Sequence, residues 1–207
     1  MKKTISLLSI LSLFFLISCE QLVGPIPDKP QPADNSVNYR GNGHTSGAVP
    51  IDNTKYLSGD TVTVLAPGTL SKTGHDFTRW NTASDDSGTP YNPTDTFAMP
   101  LDKVILYAIW TPKNYTVSFD SNGGSAAVPA TMSVTYTQAY GTLATTSQPG
   151  YTFAGWWTTP SGAGLQVSDV TLVNIAGDHT LYARWTPNTY TVTFDPELGN
   201  TPSPTTR

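Results

Sequence analysis

Few side chains of this chain could act as nucleophiles, general bases or metal ligands. The 207 residues include one cysteine and three histidines, His44, His75 and His179. No two histidines have the His-x-x-x-His spacing of a zinc-binding helix, and no glutamate stands three residues before a histidine. The sequence also lacks a Gly-x-Ser-x-Gly elbow, a phosphate-binding loop and a dinucleotide fingerprint. It therefore predicts no catalysis, no cofactor and no metal site.

Three acidic residues stand where a carboxylate site is conceivable. Asp85 and Asp86 are adjacent, and Asp120 precedes Ser-Asn-Gly-Gly, so they could form a catalytic pair or bind calcium. Acidic residues beside serine, asparagine and glycine are more typical of turns, in which the carboxylate accepts backbone hydrogen bonds. We interpret all three as turn residues.

The cysteine, Cys19, follows the pattern of an export signal. Lys2 and Lys3 precede an uncharged apolar run of thirteen residues, from residue 5 to residue 17. As a helix this run would be roughly 20 Å long, which is too short for a hydrocarbon core of about 30 Å. Residues 1–18 are therefore predicted to be a signal peptide that is removed on export.

The sequence Leu16-Ile17-Ser18-Cys19 resembles the lipobox of bacterial lipoproteins. The resemblance implies that the signal is cut before Cys19 and that the Cys19 sulfur is diacylated. It also implies that the exported protein is held by lipid in the bacterial cell envelope, at the outer membrane or the cell surface. Several acyl chains make a stable anchor, since each buried CH₂ contributes about 0.8 kcal/mol. An ordinary signal peptide followed by a free cysteine is the alternative.

Residues 19–35 are predicted to be a lipid-anchored, proline-rich linker. Four prolines, Pro25, Pro27, Pro30 and Pro32, favour an extended chain that rises about 3.1 Å per residue. A docking motif for a groove that binds proline-rich peptides is the alternative, but no pattern of basic residues supports it. The whole chain has 11 basic and 15 acidic residues, so nucleic acid is not an expected partner.

Most of the remaining sequence is present twice. The stretch WTPKNYTVSFD from Trp110 recurs as WTPNTYTVTFD from Trp185, 75 positions later. Two earlier blocks recur in the same order: VNYRGNG with VSFDSNG, and GHDFTRW with GYTFAGW. We therefore divide the chain into repeat 1, residues 36–112, repeat 2, residues 113–187, and the truncated start of a third repeat, residues 188–207.

Alternation of apolar and polar residues predicts about four short strands in each repeat. In repeat 2 these strands contain Val117, Val134, Trp156 and Ala183, and a turn is expected at 122–124. No long helical stripe is present, although residues 165–175 could contain a short helical turn. The predicted fold class is mainly β, in tandem modules near the lower size limit for independent folding.

The tryptophans separate the predicted core from the predicted surface. Four of the five recur at equal positions of the two repeats and are expected in the cores: Trp80, Trp110, Trp156 and Trp185. Trp157 has Asn81 at its place in repeat 1 and neighbours Trp156 in a strand, so it is predicted to point outward. Because exposed aromatic rings can stack on sugars, Trp157 and Tyr151 are the candidate binding residues.

The recurring motifs V-x-F-x-x-N-G-G, G-Y-x-F-x-G-W and L-Y-A-x-W resemble the Listeria–Bacteroides repeat, which is related to the B repeat of internalins. Residues 115–187 match this pattern well. Residues 37–112 match it with departures, since His44 replaces the second turn glycine and Arg79 replaces Gly155. The resemblance implies a β-grasp-like fold, α+β at most, and a place on the bacterial surface. It implies no reaction.

Residues 190–194, Tyr-Thr-Val-Thr-Phe, copy the first strand of a repeat, but thirteen residues follow and they lack the Asn-Gly-Gly turn. A lone strand has nothing to pack against. We expect it to fray or to lie against the edge of repeat 2, and we expect residues 196–207 to be disordered.

These patterns predict a lipid-anchored cell-envelope protein that serves as a surface spacer or as an adhesion or protein-interaction module. The expected partners are the membrane, through the Cys19 lipid, and a surface protein or glycan. A glycan-binding module that uses Trp157 is the alternative.

Overall fold

The computed structural model describes residues 35–193, and within that range it contains strands and no helix. The mainly-β prediction is therefore confirmed, while the likeness to a β-grasp stays a prediction. The strands in chain order are β1 Val37–Arg40, β2 Thr61–Thr63, β3 His75–Asn81, β4 Pro90–Tyr91, β5 Thr96–Ala98, β6 Val104–Pro112, β7 Asn114–Asp120, β8 Thr131–Thr135, β9 Tyr151–Trp157, β10 Gln166–Val167 and β11 His179–Pro187.

Each repeat forms its own sheet. In repeat 1 the strand order is β1-β6-β3-β4, with a separate two-stranded ribbon of β2 and β5. In repeat 2 the order is β10-β9-β11-β7-β8. In both sheets the first and last long strands of the repeat are parallel neighbours, β1 with β6 and β7 with β11. A single residue, Lys113, connects the two sheets, because β6 ends at Pro112 and β7 begins at Asn114.

A buried tryptophan lies at the centre of each core. Trp80 and Trp156 are 0% and 2% exposed, and their indole N–H groups donate to the carbonyls of Leu65 and Ala144. An aromatic ring from the first strand packs edge-on against each tryptophan, with ring centroids 4.7 Å apart in both repeats. Both indoles therefore join the sheet to the loop that covers it without leaving a polar atom unsatisfied.

The other two predicted core tryptophans lie at the margin of the cores. Trp110 and Trp185 are partly buried and pack against the buried clusters of their repeats. Their indole N–H groups donate to the carbonyls of Gly41 and Ser121, each at 2.9 Å. They therefore join the end of the last strand to the turn that follows the first strand.

A β-bulge interrupts the third long strand of both repeats. Thr78 in β3 and Ala154 in β9 have no partner in the ladder with the last strand. The extra residue reverses the alternation of side chains, so that residues on either side of it change faces. Phe153 and Trp156 consequently lie on the core side together, with their rings 5.5 Å apart.

The sequence pattern does not predict several of the short strands. Repeat 1 has six described strands and repeat 2 has five, against about four expected, because β2, β4, β5 and β10 have two or three residues each. Such short segments show no periodicity. The helical turn considered for residues 165–175 is wrong, since β10 lies there and is followed by a turn in which the Thr171 hydroxyl accepts the Ser168 N–H.

Repeat 2 contacts repeat 1 closely around the connecting residue, Lys113. The Lys113 N–H donates to the Gly74 carbonyl at 2.9 Å, and the Tyr136 N–H donates to the Lys113 carbonyl at 2.9 Å. The Tyr136 ring covers Gly74 and meets the His75 ring edge-on at 5.5 Å. The Lys113 ammonium lies 3.0 Å from the Asp76 carboxylate. These contacts come from both repeats and restrict rotation about the one-residue connection.

The end of repeat 2 repeats part of this arrangement. The Asn188 N–H donates to the Gly150 carbonyl at 2.8 Å, as Lys113 does to Gly74. The Thr152 hydroxyl donates to Asn188 Oδ1 at 2.7 Å, in the place of the Asp76–Lys113 ion pair. Residues 190–193 form no strand, and Tyr190 is 69% exposed. The expectation for 196–207 concerns residues outside the described range.

We expect Gly74→Ala to weaken the junction more than the matched change Gly150→Ala. Both glycines have positive φ, +69° and +80°, so an alanine is strained at either position. A Cβ at Gly74 would lie 2.3 Å from the Tyr136 ring, whereas none of the described atoms lies within 4 Å at Gly150. Gly74→Ala should therefore cost roughly 1 to 3 kcal/mol more in urea unfolding. Equal losses would show that the ring contact does not stabilise the junction.

Substitution of the adjacent tryptophans should give unequal losses of stability. Trp156→Ala removes a fully buried ring and should cost roughly 3 to 5 kcal/mol, enough to unfold a small module. Trp157→Ala should cost well under half of that, because Trp157 lies on the other face and is partly exposed. Thermal unfolding followed by circular dichroism measures both losses. Similar shifts for the two variants would contradict the assignment of faces.

Candidate functional site

The residue predicted to be lipidated, Cys19, lies outside the described residues, as do the signal peptide and most of the linker. The described surface is therefore that of the two repeats. Within residues 35–193 the structure contains no helix of the length and hydropathy needed to cross a membrane.

An asparagine side chain holds a loop against the sheet in each repeat. These loops are residues 82–89 in repeat 1 and 158–165 in repeat 2. Asn42 Nδ2 donates to the carbonyls of Ser84 and Ala108, at 2.8 and 2.9 Å. Asn122 Nδ2 donates to the carbonyls of Pro160 and Ala183, at 3.4 and 3.1 Å. The sequence marked Asn122 only as a turn residue, and its role as a clamp depends on contacts distant in sequence.

Each repeat places an arginine at the same point of the pair formed by its third and last long strands, on the sheet face opposite the core. In repeat 1 Arg79 of β3 lies opposite Ile109 of β6. In repeat 2 the positions are exchanged, since Arg184 of β11 lies opposite Gly155 of β9. The departure at Arg79 therefore has a compensating change across the strand pair, and both sheets keep a guanidinium at this place.

In repeat 1 the charge of Arg79 is neutralised by a residue of the 82–89 loop. The Arg79 guanidinium forms an ion pair with Asp86, through two N–H groups to the two carboxylate oxygens. The hydrogen bonds from Arg79 lower the pKa of Asp86 from its ordinary value. The buried Asn81 donates to Asp86 Oδ1 at 2.8 Å and accepts the Ala83 N–H at 2.8 Å. A shallow groove of about 430 Å³, lined by Lys72 among others, lies beside this network.

The other acidic candidates are also held in turns. Asp85 accepts the hydroxyl and the N–H of Ser87, at 2.6 and 3.2 Å, and these bonds lower its pKa. Asp120 accepts the Asn122 N–H at 2.8 Å. The geometry thus agrees with the interpretation of these acidic residues as turn formers. Among residues 35–193, no three His, Cys, Asp or Glu side chains lie close enough to hold a metal ion.

The arginine of repeat 2 lies on the candidate binding residue. Arg184 Cζ is 4.9 Å from the centroid of the Trp157 ring, at the distance of a cation–π contact. The 158–165 loop contains no acidic residue and places Gly162 against the Arg184 side chain. Trp157 lies on the face opposite Trp156, as predicted, but it is partly buried rather than open to solvent.

Tyr151 does not join Trp157 in one site. Tyr151 is 42% exposed and lies six positions before Trp157 in β9, which separates the two by roughly 20 Å along the strand. The bulge at Ala154 lies between them and places their side chains on opposite faces. A single sugar-stacking platform that uses both rings is therefore not present.

The histidines are also dispersed. His75 Nδ1 bonds to the Thr73 carbonyl, and His179 Nδ1 bonds to the Gly177 carbonyl at 2.9 Å. His179 Nε2 then accepts the Tyr140 hydroxyl at 2.7 Å, which joins the last strand to the covering loop. These contacts give His75 and His179 structural roles.

Comparison with known proteins identifies the family. The Listeria-Bacteroides repeat domain matches the chain twice, over residues 36–109 and 115–184. The chain belongs to this repeat family. It is 38% identical, over 79% of its length, to a protein of Evansella cellulosilytica whose name describes it as a Gly-rich membrane protein. It is 34% identical, over 68% of its length, to internalin H of Listeria monocytogenes.

These matches cover small parts of the relatives. The alignments span 18% of the Evansella protein and 24% of internalin H. The relatives' names support a surface repeat protein associated with the cell envelope. The activities and binding partners of the full-length relatives therefore cannot be assigned to this chain.

Acid should open the 82–89 loop and leave the 158–165 loop in place. The pKa of Asp86 is lowered in the folded protein, so its contribution is present above its ordinary value of 3.8 and is lost as the pH falls through the lowered value. Below about pH 4 the Ala83 amide should therefore shift in NMR spectra. Asp86→Asn should remove this transition. Parallel shifts in the 158–165 loop, which has no carboxylate, would indicate general unfolding instead.

Proposed function

We propose that this protein is a lipid-anchored surface spacer that also offers an interaction surface, and that it performs no catalysis. The junction between the repeats supports this proposal most directly. Lys113, Gly74 and Tyr136 join the two sheets through backbone hydrogen bonds and the contact of the Tyr136 ring with Gly74. A chain built this way holds its second module at a fixed orientation from the first.

The direction of the strands supports the same role. β1 and β6 are parallel, and β6 continues five residues beyond the last pair, Arg40 with Tyr107. The chain therefore leaves repeat 1 at the end away from where it began, about 16 Å past the paired region. Each added repeat extends the array in one direction. The linker, residues 19–35, would stand the first repeat away from the membrane.

The anchor can be tested through Cys19. Cys19→Ala should lose label from a fatty-acid precursor and should leave the membrane fraction, because no other residue takes the lipid. Gln31→Ala, in the proposed linker, is the matched control and should keep both label and membrane association. If Cys19→Ala is still processed and still sediments with membranes, an ordinary signal peptide replaces the lipobox in this proposal.

Glycan recognition through Trp157 or Tyr151 stays a prediction, and the two residues require separate tests. The Arg184 guanidinium covers one face of the Trp157 ring, and Tyr151 lies on the other side of the sheet. If the protein is only a spacer, the Cys19→Ala chain and the Cys19→Ala/Trp157→Ala chain should give the same signals on a glycan array. Loss of a specific glycan signal in a folded Trp157→Ala or Tyr151→Ala variant would instead favour recognition.

A further inference from the structure

The outer edge of β8 in repeat 2 is an open strand edge. β8 is the terminal strand of its sheet and pairs with β7 alone. The Ala130 carbonyl accepts the Phe119 N–H, so the even-numbered residues of β8 direct their backbone groups toward β7. The backbone groups of Thr131 and Ser133 therefore point away from the sheet. Both residues are exposed, and no hydrogen bond from the described part of the chain reaches those groups.

Repeat 1 has a different structure at the same place. Tyr56 corresponds to Tyr136, the residue that follows β8. The segment before Tyr56 turns at Asp52, whose carboxylate accepts the Thr54 N–H and the Tyr56 hydroxyl, each at 2.9 Å. One isolated bridge, from Asn35 to Tyr56, takes the place of the β7–β8 ladder. Irregular backbone and charged residues, here Asp52 and Lys55, are the usual means by which proteins protect a sheet edge. Repeat 1 therefore carries a protected edge, and repeat 2 does not.

The sequence around β8 carries no charge. Residues 121–168 contain no Asp, Glu, Lys or Arg, in a chain whose formal net charge is −4. Residues 121–168 of two copies can therefore meet at this edge without bringing like charges together. The Val128 side chain, just before β8, is also exposed.

The β8 sequence, Thr-Met-Ser-Val-Thr, is self-complementary about its central residue. When it is placed antiparallel to itself, Ser133 faces Ser133, Thr131 faces Thr135, and Met132 faces Val134. Threonine pairs and apolar pairs are both favourable across antiparallel strands. Met132 and Val134 already pack on the core side, so the pairing would continue the apolar face from one copy to the next.

We propose that β8 of one copy pairs antiparallel with β8 of a second copy, about a two-fold axis at Ser133. The sheets of the two copies then form one continuous sheet, and the contact closes as a dimer because both copies use the same surface. The second copy is the favoured occupant because the edge is uncharged and matches itself. This contact is independent of the lipid anchor and of the spacer proposal.

A single cysteine at the axis tests the contact. Cα atoms of a hydrogen-bonded antiparallel pair are about 5.5 Å apart, which is within the range of a disulfide. In the full chain with Cys19→Ser, Ser133→Cys should form a cross-linked dimer under mild oxidation. Asn53→Cys, at the corresponding place in repeat 1 and also exposed, is the matched control and should stay largely monomeric. A monomeric Ser133→Cys chain, or equal cross-linking of both variants, would overturn the proposal.

A charge exchange provides a second test without a covalent bond. Ser133→Lys and Ser133→Glu each place two like charges opposite one another at the axis. Each should weaken self-association about fivefold at low salt in sedimentation measurements. An equimolar mixture should regain it, because lysine then faces glutamate. Pairing at β8 would be contradicted if both single variants associate as strongly as the parent chain, or if the mixture does not recover the association. It would also be contradicted if the parent chain does not associate at all.

Discussion

The parallel pairing of the first and last strands is the constraint on which the rest of each repeat depends. An antiparallel pair would return the chain to the end where it entered, but the β1–β6 and β7–β11 pairs carry it across the module. The first strand of the next repeat can then begin after a single connecting residue, at Asn114. Parallel neighbours require a long crossover, and residues 41–103 and 121–178 supply it in the two repeats. The covering loops and the buried tryptophans pack within these crossovers.

The long strands could be predicted from sequence because their burial alternates. Val117 and Phe119 in β7, and Leu181 and Ala183 in β11, are buried at every second position. The bulge at Ala154 could not be predicted, since it is a mismatch between two strands and neither strand shows it alone. The sequence therefore places Tyr151 and Trp157 in one candidate site, although the bulge separates their faces. The prediction for Cys19 depends on a local motif, whose identification needs no fold.

Comparison of the two repeats shows which contacts the fold keeps when residues change. Asn42 and Asn122 clamp equivalent loops through equivalent carbonyls, because both lie in an Asn-Gly turn at positive φ, 46° and 47°. The arginine, by contrast, moves from one strand to its neighbour. What is retained there is a guanidinium at one place on the sheet, and either strand can supply it. When only β3 and β9 are aligned, Arg79 therefore looks like a departure from the repeat motif, although the guanidinium is conserved between the two sheets.

The same comparison explains why the two repeats differ at their edges. A module that must meet its predecessor through Tyr136 needs a regular strand before it, because the ring is placed by the last residues of β8. That strand ends the sheet and exposes its outer backbone groups. In repeat 1 the equivalent residue is Tyr56, and within the described residues it has no preceding module to contact. The segment before Tyr56 can therefore turn at Asp52 and carry charged residues. The regular strand that joins repeat 2 to repeat 1 thus also creates the open edge, and in this chain the residues around that edge, 121–168, contain no Asp, Glu, Lys or Arg.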